Sequence, residues 1–121
     1  MALKPSGEMY LETIYVLCKD CSTVRSIDVA EHMRFSKPSV SRAVGLLKKD
    51  NYIVVDENGF ITLTDAGHAL AQKIYERHTL LTKVLTMLGV DEQTASEDAC
   101  KIEHVISDKS FDTLKEFMKN K

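Results

Sequence analysis

The stretch from Ser36 to Leu63 limits the fold of this chain more than any other. Val40, Val44 and Leu47 recur at helical spacing. Two β-branched runs follow at once, Tyr52-Ile-Val-Val-Asp56 and Phe60-Ile-Thr-Leu63, with Glu57-Asn-Gly59 between them. Such runs around an Asn-Gly pair predict a hairpin with a tight primed turn, which needs positive φ at both central residues. Ser36 is the natural cap of the preceding helix. Pro38 is tolerated in its first turn, because the backbone N–H there has no helical partner to lose.

Upstream, Leu11, Ile14, Tyr15 and Cys18 predict an amphipathic helix over roughly Glu8 to Lys19. Ser26 is expected to cap a second helix that turns Val29, Ala30 and Met33 inward, before a short polar break at Arg34–Phe35. Three short helices closed by a hairpin outline a winged helix-turn-helix. Downstream, Thr64 is expected to cap a long helix ending at Gly89, with Leu70, Ile74, Leu81, Leu85 and Leu88 on one side. Asp91 then opens a helix to about Ser107, and Asp108 or Ser110 a last short one. Helices this long have little to pack on in a chain of 121 residues, and a second copy would bury them. The expected fold class is therefore mainly α: a winged helix-turn-helix with a β-hairpin wing over residues 1–64, then a helical metal-binding and dimerisation domain over 65–121.

Composition narrows the function. No apolar run is long enough to span a membrane, and the opening MALKPSGEMY lacks the apolar stretch of a secretory signal. Three cysteines do not suit a disulfide framework, so a reducing cytoplasm is the expected location. The formal charge of −2 hides an uneven distribution: Arg34 to Lys49 carries five cations and no acid, whereas ten acids face eight bases from Thr64 onward. A local basic face on a mildly acidic chain suits DNA contact by one element.

That element is the helix opened by Ser36. Short hydroxyls and backbone N–H groups hold phosphates, and an arginine reaches O6 and N7 of guanine. Ser36, Lys37, Pro38, Ser39, Ser41 and Arg42 supply this chemistry, with Lys48 and Lys49 farther along for backbone contact. An ordinary solvated helix face would read the same way without the hairpin that follows. A second constellation is Cys100-Lys-Ile-Glu103-His104. On a helix, positions i, i+3 and i+4 share a face, so a thiolate, a carboxylate and an imidazole converge as a half-site for a divalent transition ion. Met9 and Glu12, one turn apart, or His78 could complete it. The bland alternative makes Cys100 a small core residue, Glu103 and His104 a surface pair, and His78 a buried, hydrogen-bonded histidine. Cys18-Lys-Asp-Cys21 is a lone C-x-x-C with no second pair, which argues against structural zinc.

Several segments together resemble one family: Glu8-Met-Tyr-Leu-Glu-Thr-Ile-Tyr15, Ser36-Lys-Pro-Ser-Val-Ser-Arg42, Leu63-Thr-Asp-Ala-Gly67, Arg77-His78 and Glu97-Asp-Ala-Cys-Lys-Ile-Glu-His104. In this order they look like the diphtheria toxin repressor family, which includes iron-dependent repressors and the manganese transport regulator. The resemblance implies a metal-dependent transcriptional repressor, not an enzyme, that binds double-stranded operator DNA as a homodimer. No membrane or small-molecule substrate is implied. Met9, Cys100, Glu103 and His104 match the activating site of iron-type members, His78 a second-site ligand of both branches, and Glu12 a carboxylate of manganese-type members. Thr82 and Ser96 stand where iron-type proteins carry further ligands, so the second site is expected to be weakened or rebuilt around Glu12 and His78. The chain also stops where iron-type members continue into an SH3-like domain. Ser36, Pro38 and Arg42 match base-contacting positions, with Arg42 in place of the commoner glutamine.

Met9 and Cys100 replace carboxylates of the manganese type, and a thioether with a thiolate favours softer borderline ions. Fe2+ is the expected cofactor, Mn2+ the alternative, with Zn2+, Co2+ or Ni2+ able to substitute in vitro. Two rival readings remain in the residues themselves. One is a winged-helix regulator answering to an organic ligand or to oxidation of Cys100. The other is a hydrolase built on Cys100 and His104, which lacks a visible oxyanion donor.

Overall fold

The structure is a computed structural model and describes residues 5–21 and 23–120. The first four residues of the opening segment lie outside these. Among the described residues, six helices and one hairpin follow in order: α1 Pro5–Asp20, α2 Ser26–Met33, α3 Lys37–Lys49, β1 Ile53–Val55, β2 Ile61–Leu63, α4 Asp65–Met87, α5 Glu92–Ile102 and α6 Asp108–Lys119. No helix among the described residues is long and apolar enough to cross a membrane. The chain divides into two compact units, Met1–Gln72 and Lys73–Lys121.

In the first unit the apolar spacing of α1 places Leu11, Ile14 and Tyr15 in one core with Val24, Val29, Ala30, Val40, Val44, Leu47, Ile53, Ile61 and Ala71. Full burial of a Leu, Ile or Val side chain is worth about 1.5–3 kcal/mol, so this cluster dominates the stability of the unit. The antiparallel strands pair Ile53 with Leu63, Val54 with Thr62 and Val55 with Ile61. Period-two alternation buries Ile53 and Ile61 and exposes Val54 and Thr62. The Ile61 N–H donates to the Val24 carbonyl at 2.7 Å, which ties the hairpin to the segment before α2.

Three helices end alike. Arg34, Asn51 and Gly89 have positive φ (59°, 68° and 107°). The next residue in each case donates its N–H five positions back: Phe35 to Ala30, Tyr52 to Leu47 and Val90 to Leu85. These are left-handed C-terminal caps, which satisfy carbonyls that the helix leaves without partners.

The starts of the helices bear out most of the expected caps. Ser36 Oγ accepts from the Ser39 N–H, Thr64 Oγ1 from the Gly67 N–H and Asp91 Oδ2 from the Thr94 N–H. At α2 the cap falls one residue earlier than expected. Arg25 occupies the capping position, and Asp28 reaches back to accept its N–H at 2.8 Å. The hairpin turn also differs from the expected two-residue primed turn. In its loop only Gly59 has positive φ, at 82°. The Gly59 N–H donates to the Asp56 carbonyl, and Asp56 Oδ1 accepts from the N–H groups of Asn58 and Phe60. A three-residue loop with a glycine bulge results, because the Asp56 carboxylate offers the loop amides a local acceptor.

In the second unit the buried residues are Ile74, Leu81, Ala95, Ala99 and Phe111, together with the charged Arg77 and Glu103. The helix expected to reach Ser107 ends at Ile102. Beyond it, Glu103 keeps helical backbone angles, and the N–H groups of Val105 and Ile106 both return to the Ile102 carbonyl. Glu103 and His104 thus sit on a tight turn after α5, not inside a helix.

Candidate metal centre and nucleic-acid interface

On α3, burial of Val40, Val44 and Leu47 leaves Lys37, Pro38, Ser39, Ser41, Arg42, Lys48 and Lys49 exposed, as is Ser36 just before the helix. The first turn holds no acid. Free N–H groups and the dipole at a helix start favour an anion such as a phosphate. The Ser36 hydroxyl is already engaged: it accepts from the Ser39 N–H at 3.4 Å and lies 2.9 Å from Ser39 Oγ. Ser41 and Arg42 carry no such local duty in the hydrogen bonds described. On the wing side, Arg25 stacks over the Phe60 ring at 4.5 Å, which adds a cation beside the hairpin.

The second unit brings four of the expected metal ligands together. Glu103 is 1% exposed. Its Oε2 lies 3.1 Å from His78 Nδ1, and its Oε1 lies 3.3 Å from His104 Nε2. Neither carboxylate oxygen has an aligned hydrogen-bond donor. A buried carboxylate is costly unless a charge or donor compensates it. Converging lone pairs at these distances are held by a shared proton or a shared cation. Cys100 completes the group: its sulfur, a Glu103 oxygen and a His104 nitrogen all lie within 4.8 Å of one another. Ligands on opposite sides of one ion sit about 4.6 Å apart for bonds of ~2.3 Å, so little movement lets this trio share one. The donor set, one thiolate, one carboxylate and imidazoles, fits a divalent transition ion.

His78 is contacted by Thr82 of its own helix and by Ser96 of α5. Its carbonyl accepts from Thr82 Oγ1 at 2.8 Å, and its Nε2 lies 3.5 Å from Ser96 Oγ. Thr82 and Ser96, read above at positions of lost ligands, therefore contact the histidine itself. Met9 and Glu12 lie one turn apart on α1 in the first unit, both half-buried, with the Met9 carbonyl accepting from Thr13 Oγ1. Cys18 is half-buried with its sulfur 3.8 Å from the Ile61 carbonyl, and Cys21 is exposed. Burial, and secondarily the neighbouring Cys21, push the Cys18 thiol up, which makes it a poor nucleophile and a poor ligand. No group of three ligand side chains among the described residues includes either cysteine.

The sequence reading gave Arg77 no role. Its guanidinium is buried and donates to the carbonyls of Glu103 and Ile106 at 3.2 and 2.8 Å. The signal was present in the spacing, since Arg77 follows Ile74 by three and precedes Leu81 by four, on the apolar stripe of α4.

Sequence models of one protein family match almost the whole chain. The iron dependent repressor N-terminal DNA-binding domain covers residues 2–59, and the iron dependent repressor metal-binding and dimerisation domain covers residues 64–121. The HTH-type transcriptional regulator MntR of Lysinibacillus sphaericus is 37% identical over 91% of this chain and 79% of its own length. The diphtheria toxin repressor of Corynebacterium diphtheriae is 35% identical over 88% of this chain and 47% of its own. The solved structure of the manganese regulator SloR superposes with a TM-score of 0.83 at 28% identity, over 98% of this chain and 55% of that one. The chain thus spans about half the length of the last two relatives. With a winged helix and a cluster of Cys, Glu and His side chains in its described fold, the chain belongs to the iron-dependent repressor family and is a metal-dependent transcriptional repressor of that family.

Proposed function

We propose that this repressor is activated by Fe2+ and binds operator DNA as a homodimer in the cytoplasm, with no substrate turnover. Residues 1–64 form the DNA-binding part and residues 65–121 the metal-binding and dimerisation part. Met9, Cys100, Glu103 and His104 are the primary ligand set, with Glu12 and His78 forming a second. Ser36, Lys37, Pro38, Ser39, Ser41, Arg42, Lys48 and Lys49 face DNA.

The observation that carries this reading is the Glu103 carboxylate, buried between His78 and His104 without an aligned donor and with Cys100 in reach. A bound divalent ion supplies the positive charge that offsets this burial. The remaining work belongs to the chain. Arg42 meets base edges, and the exposed serines with Lys48 and Lys49 meet phosphates, while ligands drawn from α1 and from the turn after α5 make ion affinity depend on how those segments are arranged. The ion acts only through that difference in affinity between arrangements.

Soft donors support iron: a thiolate from Cys100 and a thioether from Met9 suit borderline ions better than Mn2+. A manganese reading draws on the relatives, which include regulators named for manganese, and on the carboxylates of Glu12 and Glu103. Anaerobic DNA binding by chelator-stripped protein separates the two. Retention of its own upstream DNA at micromolar Fe2+ where equal Mn2+ fails is the expected result, and the reverse order assigns the protein to manganese. Replacing His104 with Ala should remove the response to both ions while leaving a folded protein, and a full response in that variant would refute the ligand set.

A further inference from the structure

Among the described residues, Arg77 and Glu103 are the buried charged side chains, and they meet at one place. Helix α5 stops at Ile102, and a helix end leaves its last carbonyls without partners. The N–H groups of Val105 and Ile106 take the Ile102 carbonyl. The carbonyls of Glu103 and Ile106 are taken by Arg77 Nη1, at 3.2 and 2.8 Å. Nη2 donates to Asp108 Oδ1, which Lys73 also holds at 3.0 Å, and the guanidinium stacks over Phe111 at 5.4 Å. Asp108 in turn opens α6. A planar, permanently charged fork is therefore fixed at both ends of the turn that bears Glu103 and His104. The next residue of α4, His78, presents Nδ1 to the Glu103 carboxylate.

We infer that Arg77 is a positioning residue for the metal centre: by holding the carbonyls of Glu103 and Ile106 it sets the turn from which the Glu103 and His104 side chains project, before any ion arrives. The inference rests on the reading of Cys100, Glu103 and His104 as ligands. A clamp that served stability alone would leave metal affinity untouched once the protein was folded. A positioning clamp lowers affinity in a protein that is still folded, since partners that orient ligands typically contribute about 10–100-fold to it. Lysine cannot reproduce the arginine here, because its three donors radiate from one nitrogen on a flexible stem and lack the fixed planar spacing of Nη1 and Nη2.

The test uses the full chain with Arg77→Lys, Asp108→Asn and His104→Ala. Co2+ affinity is measured by chelator competition, the Co2+ ligand-field spectrum is recorded, and amide exchange at Val105 and Ile106 is followed in metal-free protein. Arg77→Lys should keep helical content, bind Co2+ about 10–100-fold more weakly with an altered spectrum, and exchange those amides faster. Asp108→Asn, which keeps the guanidinium but loosens it, should shift all three readouts the same way by less, and it decides the matter if Arg77→Lys does not fold. Wild-type affinity, spectrum and exchange in the folded variants, with binding lost in His104→Ala, would overturn the role of Arg77 alone. Binding retained in His104→Ala would overturn the ligand reading and this inference with it.

Discussion

The exposed face of α3 and the turn after α5 both carry charged groups, and water treats them oppositely. On α3 each proposed DNA contact stands in solvent, and the core stripe of Val40, Val44 and Leu47 lies on the other side. Charge there can change without disturbing what folds the helix. At the turn, Glu103 and Arg77 are withdrawn from water, and each depends on groups brought from another segment. There, function and stability share the same atoms. Surface chemistry can be tuned residue by residue, whereas a buried site changes as a set.

Glu103→Leu should give the largest effect and expose the coupling most directly. It should abolish the metal response, while the metal-free protein becomes as stable or more stable, by up to about 1–4 kcal/mol, because an apolar group replaces a buried charge. Thermal melts with and without Fe2+ or Mn2+ read both at once. A marked loss of metal-free stability would mean that the histidines already compensate the carboxylate, and would break the contrast.

Arg42→Ala should cost about 1–3 kcal/mol at the operator base it reads, while moving the unfolding free energy by less than about 0.5 kcal/mol. Binding to a set of single-base operator variants, beside denaturant unfolding, separates the two quantities. Ser36→Ala marks the edge of the comparison. Its hydroxyl caps α3, so about 1 kcal/mol of stability should be lost even from the exposed face.

Asp108→Asn tests the anchor of the buried turn through pH. Hydrogen bonding and charge from Lys73, then Arg77, hold the Asp108 carboxyl below its usual range. A depressed carboxylate stabilises the fold fully above its unfolded value of about 3.9 and loses that contribution as pH falls through the lower folded value. The wild type should therefore lose stability with acid over that window more steeply than the variant does. Parallel acid limbs in the two proteins would mean that the pairing contributes nothing in solution.

How far the sequence could be read follows the same divide. The helices, the hairpin strands and the core positions rest on periodicity, which a single chain displays openly: Leu11, Ile14, Val40, Val44 and Leu47 are buried as their spacing requires. Proximity of Cys100, Glu103 and His104 was legible too, although the helix assumed to carry them ends at Ile102. Their convergence survives because Glu103 keeps helical backbone angles. What periodicity could not reveal was competition among local acceptors. Asp56 captures the loop amides and converts the expected turn, and Asp28 moves the α2 cap to Arg25. The role of Arg77 was hidden because it depends on carbonyls 26 and 29 residues away, and backbone carbonyls leave no mark in a sequence.

At the first turn of α4 the chain runs against the segment that enters the hairpin. Thr64 donates its N–H to the Tyr52 carbonyl and its hydroxyl to the Asn51 carbonyl, and a β-carbon at Gly67 would sit 1.9 Å from the Tyr52 oxygen. Backbone cannot yield as a flexible side chain would, so Gly67→Ala wedges this joint open. The second unit contains none of the atoms involved. Position 67 is therefore the natural place for a temperature-sensitive allele. A strain carrying it would regulate normally in the cold and lose repression on warming, and melting of the purified variant in the same temperature range would show that the defect lies in the fold and not in the chemistry of the metal or the DNA.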